Sequence, residues 1–194
     1  MSNDYNSLYL NPVFATFPEI ETDRLLLREL LPEDAPAIFR LFSDPLVTRY
    51  YDLVTYTDVR QAEELIEFFD ESFELERAIR WGIERKEDGE LMGTCGYVWL
   101  RTHRGEIGYD LHSSFWRKGY MSEALDAILD FGFTEFGLHR IEAMTMLDNE
   151  ASIGLLHTLG FQQDGIMREM EFFKDAFHDM RVFSLLRHEY YAPE

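Results

Sequence analysis

Short apolar runs alternate along this chain with segments whose apolar residues recur every three to four positions, and that contrast places most of its elements. Arg24-Leu25-Leu26-Leu27-Arg28-Glu29-Leu30 is a compact apolar run between turn-formers and reads as a first strand. Pro32-Glu33-Asp34 puts a proline and two acids where a helix N-terminus favours them; Ala37, Ile38, Leu41 and Phe42 then repeat at helical spacing until Asp44-Pro45. A second helix is expected from about Asp58 to Phe73, with Ala62, Leu65, Ile66 and Phe69 on one face and Glu63, Glu64, Glu67, Asp70 and Glu71 on the other. Ala78 to Glu84 and Leu91 to Leu100 read as a hairpin turning at Lys86-Glu87-Asp88-Gly89, where glycine tolerates a positive φ. Glu106 to Leu111 is a further strand, in which Gly108 marks a bulge or a close backbone approach.

A loop rich in serine and basic residues, His112 to Lys118, leads into a helix from about Gly119 to Phe136 that offers Ala124, Ala127, Ile128, Phe131 and Phe136 for burial. Ile141 to Met146 is the next strand. Asp148-Asn149 opens a helix that buries Ile153, Leu156 and Leu159 and stops at Gly160. Phe161 to Leu186 reads as two strands joined near Phe173 to Phe177. This order predicts an α/β or α+β domain with a mixed sheet. Residues 1–18 are polar and aromatic without clear period and read as a tail or a strap over the surface; no repeat, low-complexity stretch or interdomain linker interrupts the rest.

Length and composition narrow the function. With 194 residues, 46% of them hydrophobic, the chain fills one core and is short for two. Its 37 acids against 18 bases leave a formal charge of -19, which argues against a nucleic-acid partner, since phosphate contacts need a basic footprint. The same charge reads either as solubility or as a field that draws in a cationic substrate. One cysteine, Cys95, excludes an intrachain disulfide framework and a cysteine-based zinc cluster, and its strand-like setting reads as that of a buried structural thiol. The six histidines show no metal-binding spacing, so no metal is expected. The N-terminus lacks the basic and apolar regions of a signal peptide, and no apolar run reaches about 18 residues, so a soluble cytoplasmic protein with no membrane partner is expected. Oligomeric state has no signature here.

The most informative stretch is Trp116-Arg117-Lys118-Gly119-Tyr120-Met121-Ser122-Glu123, two cations and a glycine at a strand-loop-helix junction. Successive backbone N–H groups and the positive end of the helix make a seat there for a phosphate or pyrophosphate. Alone, the stretch reads equally as a glycine capping a surface helix beside two solvated cations. In context it resembles the coenzyme A loop of the GNAT acetyltransferase superfamily, although Trp116 and Met121 depart from the general signature. Trp116 to Ala124 is closer to the branch that acetylates ribosomal-protein N-termini. Further matches to that branch follow in order: Thr22 to Arg28, Trp81-Gly82-Ile83 with Gly93-Thr94, Glu106-Ile107-Gly108-Tyr109, Asn149-Glu150-Ala151-Ser152, Leu159-Gly160-Phe161, Gly165 to Glu169, and Asp179 with Ser184 to Arg187.

The resemblance implies a single domain over residues 19–190, followed by a short tail at 191–194, with a mixed sheet of about seven strands, splayed at the fourth and flanked by about four helices. It implies that the backbone of Arg117, Lys118, Gly119, Tyr120, Met121 and Ser122 holds the pyrophosphate of acetyl-coenzyme A, the cosubstrate. The strand around Tyr109 to Leu111 would pair with the pantetheine arm, which Asn149 would face; Asn149 reads equally as a helix N-cap. Attack by the amine would be direct, in a ternary complex. Ser152 would protonate the departing sulfur, or else be a helix-interior serine bonded to a carbonyl. Glu171 would act as the base, with Glu169 on the same face of a regular strand as its rival. The acceptor is then a basic protein N-terminus or a small cationic amine such as a polyamine or aminoglycoside. A non-catalytic coenzyme-binding module is the alternative from another class. An α-amino group with a pKa of about 8 costs about 1 kcal/mol to deprotonate at pH 7 and a lysine about 4 to 5 kcal/mol, which favours the N-terminus.

Overall fold

The computed structural model describes residues 12–192; residues 1–11 of the expected strap and 193–194 of the expected tail lie outside the described residues. A short turn of 3-10 helix, Pro12–Ala15, precedes strands β1 (Ile20–Glu21) and β2 (Leu25–Arg28) and helices α1 (Ala35–Phe42), α2 (Pro45–Thr48) and α3 (Arg60–Glu74). Strands β3 (Ile79–Arg85), β4 (Glu90–Arg101) and β5 (Arg104–Leu111) lead to α4 (Tyr120–Thr134), β6 (Arg140–Met146) and α5 (Glu150–Thr158). The hairpin β7 (Gln162–Phe173) and β8 (Ala176–Leu186) and a last turn, α6 (Arg187–Tyr190), complete the domain. The result is the expected mixed α/β sheet flanked by helices. Among the described residues it has eight strands in the order β1-β2-β3-β4-β5-β6-β8-β7, the two-residue β1 being too short to read from the sequence.

Successive side chains of a strand point to opposite faces. Trp81 and Ile83 of β3 join a core with Ala124, Leu125, Ile128 and Leu129 of α4 and Leu156 of α5. Between them, a Cβ on Gly82 would meet Leu30 and Leu91, members of a second core with Ile38 and Phe42 of α1 and Ile66 of α3. Helices therefore cover both faces of the sheet's centre. Phe14 and Phe17 close one end against Phe73, with ring centroids 5.1 and 4.9 Å away, and the Trp81 indole donates to the Pro18 carbonyl at 2.6 Å. Pro45 opens α2 as well as following α1. Asp44 accepts the Leu46 N–H at 2.9 Å and caps the new helix, with proline in the first turn where its missing N–H costs nothing.

Two irregularities shape the functional end. The β5–β6 contact is parallel and lasts only from Arg104 to Glu106 against Arg140 to Glu142. Beyond it β5 keeps pairing with β4 as far as Leu111, and β6 with β8 as far as Met146, so the two halves of the sheet diverge into a wedge. The neighbouring strand β4 breaks register between Tyr97 and Trp99, and a Cβ on Gly108 would come within 2.8 Å of Val98 and 3.0 Å of the Arg80 guanidinium. Gly108 thus marks a close approach, with the bulge on the facing strand. In β7 the pairing jumps from Met167 opposite Met180 to Glu171 opposite His178. Glu169 sits in the jump at φ 50°, and its N–H donates to Asp179 at 2.8 Å. This corrects the expectation that Glu169 and Glu171 share a face of a regular strand: the extra residues destroy the two-residue period between them.

Candidate active site

The wedge opens beside the N-termini of α4 and α5. Ahead of α4, Arg117 and Gly119 hold positive φ values of 60° and 79°. Left-handed residues on either side of Lys118 are the backbone pattern that can turn successive N–H groups toward an anion, and this one lies at the positive end of a 15-residue helix. This is a donor set suited to pyrophosphate, and Gly119 supplies the backbone conformation that a side chain would resist. The loop is pinned from within. The Trp116 indole donates to the Leu111 carbonyl at 2.7 Å, and the Lys118 ammonium donates to the Ser114 carbonyl at 2.9 Å while lying 5.6 Å from the Phe115 ring centre. Lys118 therefore offers the seat its backbone more than its charge. Arg117 is exposed, Tyr120 and Ser122 are half-buried, and Met121 is buried beneath the first turn.

Across the wedge, α5 begins at Asn149, whose side-chain oxygen accepts the Ser152 N–H at 3.3 Å. Its N-cap role is thus formed. Ser152 is held with its Oγ 2.6 Å from the Tyr109 hydroxyl, which joins two expected site residues from β5 and α5. Burial pushes the Tyr109 phenol up to about 12, and the bond with Ser152 opposes that rise, so Tyr109 remains a neutral hydroxyl near neutral pH. Leu111 is buried and ends the strand. Ile107, Tyr109 and Leu111 face the α4 and α5 side, whereas Glu106, Gly108 and Asp110 face the side of α1 and α3.

On that second side lies a carboxylate that sequence reasoning met only as part of a motif. Glu106 stands at the apex of the wedge, accepting the Trp99 indole N–H at 2.9 Å. Burial raises its pKa above the ordinary value of 4.5; the Trp99 bond works against this, and the charges of Glu142 and Glu171 add to it. Glu171, half-buried, is therefore close enough to act electrostatically on Glu106. Behind Glu106, the Arg80 guanidinium pairs with Asp110 and donates to Thr94 at 2.7 Å, and the Thr94 hydroxyl donates to Asp110 at 3.0 Å. This buried set braces β3, β4 and β5. No periodicity announces it, because its members are 14 to 30 residues apart. Cys95 is fully buried and burial pushes its thiol up to about 12, so it is the structural thiol expected. Among the described residues, no group of three or more His, Cys, Asp or Glu is placed to hold a metal, and no helix is long and apolar enough to cross a membrane.

Known proteins resemble this chain in sequence and in fold. The chain is 42% identical over 173 residues to the uncharacterized N-acetyltransferase YoaA of Bacillus subtilis, covering 88% of this chain and 98% of the relative. It is 24% identical over 168 residues to the spermidine N(1)-acetyltransferase of Escherichia coli, covering 86% and 88%. The fold superposes with a TM-score of 0.79, at 20% identity, on RimL, a ribosomal alpha-N-protein acetyltransferase solved with coenzyme A, over 87% of this chain and 98% of that one. A sequence profile described as the Acetyltransferase (GNAT) domain matches residues 24–162, a span that takes in the wedge, the α4 loop and α5. The chain belongs to the GNAT family of acetyl-coenzyme A-dependent N-acetyltransferases.

Proposed function

We propose that the chain acetylates the α-amino group of a basic protein N-terminus, a ribosomal protein being the leading acceptor. The observation that carries the chemistry is the division of labour across β5. Ser152 and Tyr109 lie together on the α5 side, and Glu106, which feels the charge of Glu171, lies on the opposite side of the same strand. The backbone of Arg117 to Ser122 and the outward end of β5 hold the acetyl-coenzyme A, and the amine enters over Glu106. Glu106 or Glu171 takes the amine's proton, directly or through water, as nitrogen bonds to the acetyl carbon; Ser152 gives a proton to the sulfur as the C–S bond breaks. The raised pKa of Glu106 suits a base that works near neutral pH on an amine already partly neutral.

The negative charge on the amine's side favours a cationic acceptor. The Tyr56 phenol is pushed up to about 12, first by burial and then by Asp110, Glu64 and Asp52. A polyamine would suit the same field, and the Escherichia coli relative is a spermidine acetyltransferase. The N-terminus is preferred because its α-amine is the cheaper to deprotonate. Acetyl-coenzyme A turnover measured side by side on a basic peptide with a free N-terminus, on the same peptide blocked but carrying an internal lysine, and on spermidine decides the matter. The free N-terminus should give the highest kcat/KM. Activity confined to spermidine moves the chain to the small-amine reading, and absence of turnover with any amine leaves a coenzyme-binding module.

A further inference from the structure

Arg24 stands just ahead of β2, 94 residues before Lys118, yet most of its polar contacts are with the α4 loop and the helix behind it. One arm of its guanidinium donates to the Lys118 carbonyl at 3.0 Å. Its Nε donates to Glu123 Oε2 at 2.6 Å, its backbone N–H donates to Glu123 Oε1 at 2.8 Å, and the guanidinium carbon lies 4.5 Å from the Tyr120 ring centre. Thr22 Oγ1 donates to the same Glu123 Oε1 at 2.5 Å. The Lys118–Gly119 peptide is trans, so its carbonyl and the Gly119 N–H point in opposite directions across one plane. Fixing the Lys118 carbonyl therefore fixes where the Gly119 N–H points. Glu123 is the acid in the first turn of α4, where a carboxylate would compete with a phosphate for the helix's positive end. Both of its oxygens are instead engaged by the Thr22 to Arg24 turn.

We propose that Arg24 is a positioning residue for the acyl donor: it aims the Gly119 N–H into the pyrophosphate seat and, with Thr22, holds the Glu123 carboxylate out of it. The inference rests on the reading of Arg117 to Ser122 as that seat. Its signature is selective for the half of the donor that carries the pyrophosphate. Arg24→Ala should raise the calorimetric Kd of coenzyme A and the KM of acetyl-coenzyme A about tenfold, with kcat within about twofold, the size of one lost charge-assisted contact at 1.4 kcal/mol per tenfold. The same variant should use S-acetylpantetheine, which ends before the pyrophosphate, with the wild-type kcat/KM. Arg24→Lys keeps the charge beside Glu123 but lacks the second arm for Lys118, and should show the same selective weakening.

Unchanged coenzyme A affinity in folded Arg24→Ala, equal losses with both donors, or full rescue by Arg24→Lys would each overturn the positioning role. Failure of the underlying reading looks different. Gly119→Glu with unchanged coenzyme A affinity, or a wild-type enzyme that uses S-acetylpantetheine as well as acetyl-coenzyme A, would remove the seat itself and the proposal with it. Should Arg24→Ala not fold, the Arg24→Lys measurements carry the test alone.

Discussion

Ser152 and Glu106 are asked for opposite proton transfers, and their surroundings differ accordingly. A thiolate with a pKa near 8.5 is a tolerable leaving group, so help from Ser152 should be worth the low end of general-acid catalysis, about 100-fold. Ser152→Ala should lower kcat by that order while leaving the coenzyme KM nearly unchanged, because the contribution falls in the transition state. Steady-state kinetics at pH 7 checks it, and full retention of kcat would make the serine structural, its hydroxyl serving only Tyr109. If Glu106 is the base of the proposed reaction it works as a carboxylate, so activity should be present above its raised pKa and lost as pH falls through it. Glu106→Gln should cut kcat/KM and abolish that acid limb. The Gln oxygen can still accept the Trp99 N–H, and a buried charge is removed, so the variant should be at least as stable at neutral pH. Glu171→Gln should shift the limb to lower pH, since it deletes one of the negative neighbours that raise Glu106. A pH–rate profile that keeps its acid limb in Glu106→Gln assigns the base elsewhere.

Between elements, a close fit that leaves no room for a side chain occurs where α4 lies on β4. A Cβ on Gly132 would overlap the Tyr97 hydroxyl, which is buried and donates to the Ile128 carbonyl at 2.8 Å. Alanine is favoured over glycine in a helix by about 1 kcal/mol, but here the ring must move and its bond must break. Gly132→Ala should therefore destabilise by about 1 to 3 kcal/mol in denaturant melts, and Tyr97→Phe added to it should recover part of the loss. An unchanged midpoint would show that α4 can shift without cost. Contacts of this kind also explain which elements the sequence pattern reveals. Helical spacing places α3 and α4 because Ala62 and Ile66, or Ala124, Ile128 and Leu129, each face one core. It misses α2, four residues long and begun by a proline that also looks like a stop, and it misses the jump in β7, because a bulge alters the period without altering the residue types. The wedge is equally silent: β5 and β6 each keep a partner on the other side, so their alternation looks the same paired or parted. The α4 loop is legible because its backbone demands a glycine at Gly119. Arg24 is not, since a guanidinium in the turn before a strand carries no mark of the carbonyl it reaches 94 residues later.

For the molecule as a whole, the charge of -19 sets how it meets an acceptor. Part of that charge is spread over the exposed side of α3, where Glu63, Glu64, Glu67 and Glu71 face solvent, on the helix that covers the amine's side of the sheet. A field of this sign raises encounter rates with a cationic partner, by about tenfold to a thousandfold at low salt, and it fades once screening shortens its reach to about 8 Å. Chemistry at the wedge should have little such dependence, because Glu106, Tyr109 and Ser152 are partly shielded from solvent. Salt should therefore act on kcat/KM and leave kcat nearly unchanged. For a basic peptide with a free N-terminus, kcat/KM should fall about tenfold between low and physiological ionic strength, whereas a neutral peptide with the same first residues should change little. Stopped-time assays at several salt concentrations, with both peptides at saturating acetyl-coenzyme A, separate the effects. Equal salt responses for the two peptides would mean that the acidic surface serves solubility alone, and a fall in kcat rather than kcat/KM would place the charge effect inside the site instead of in the approach to it.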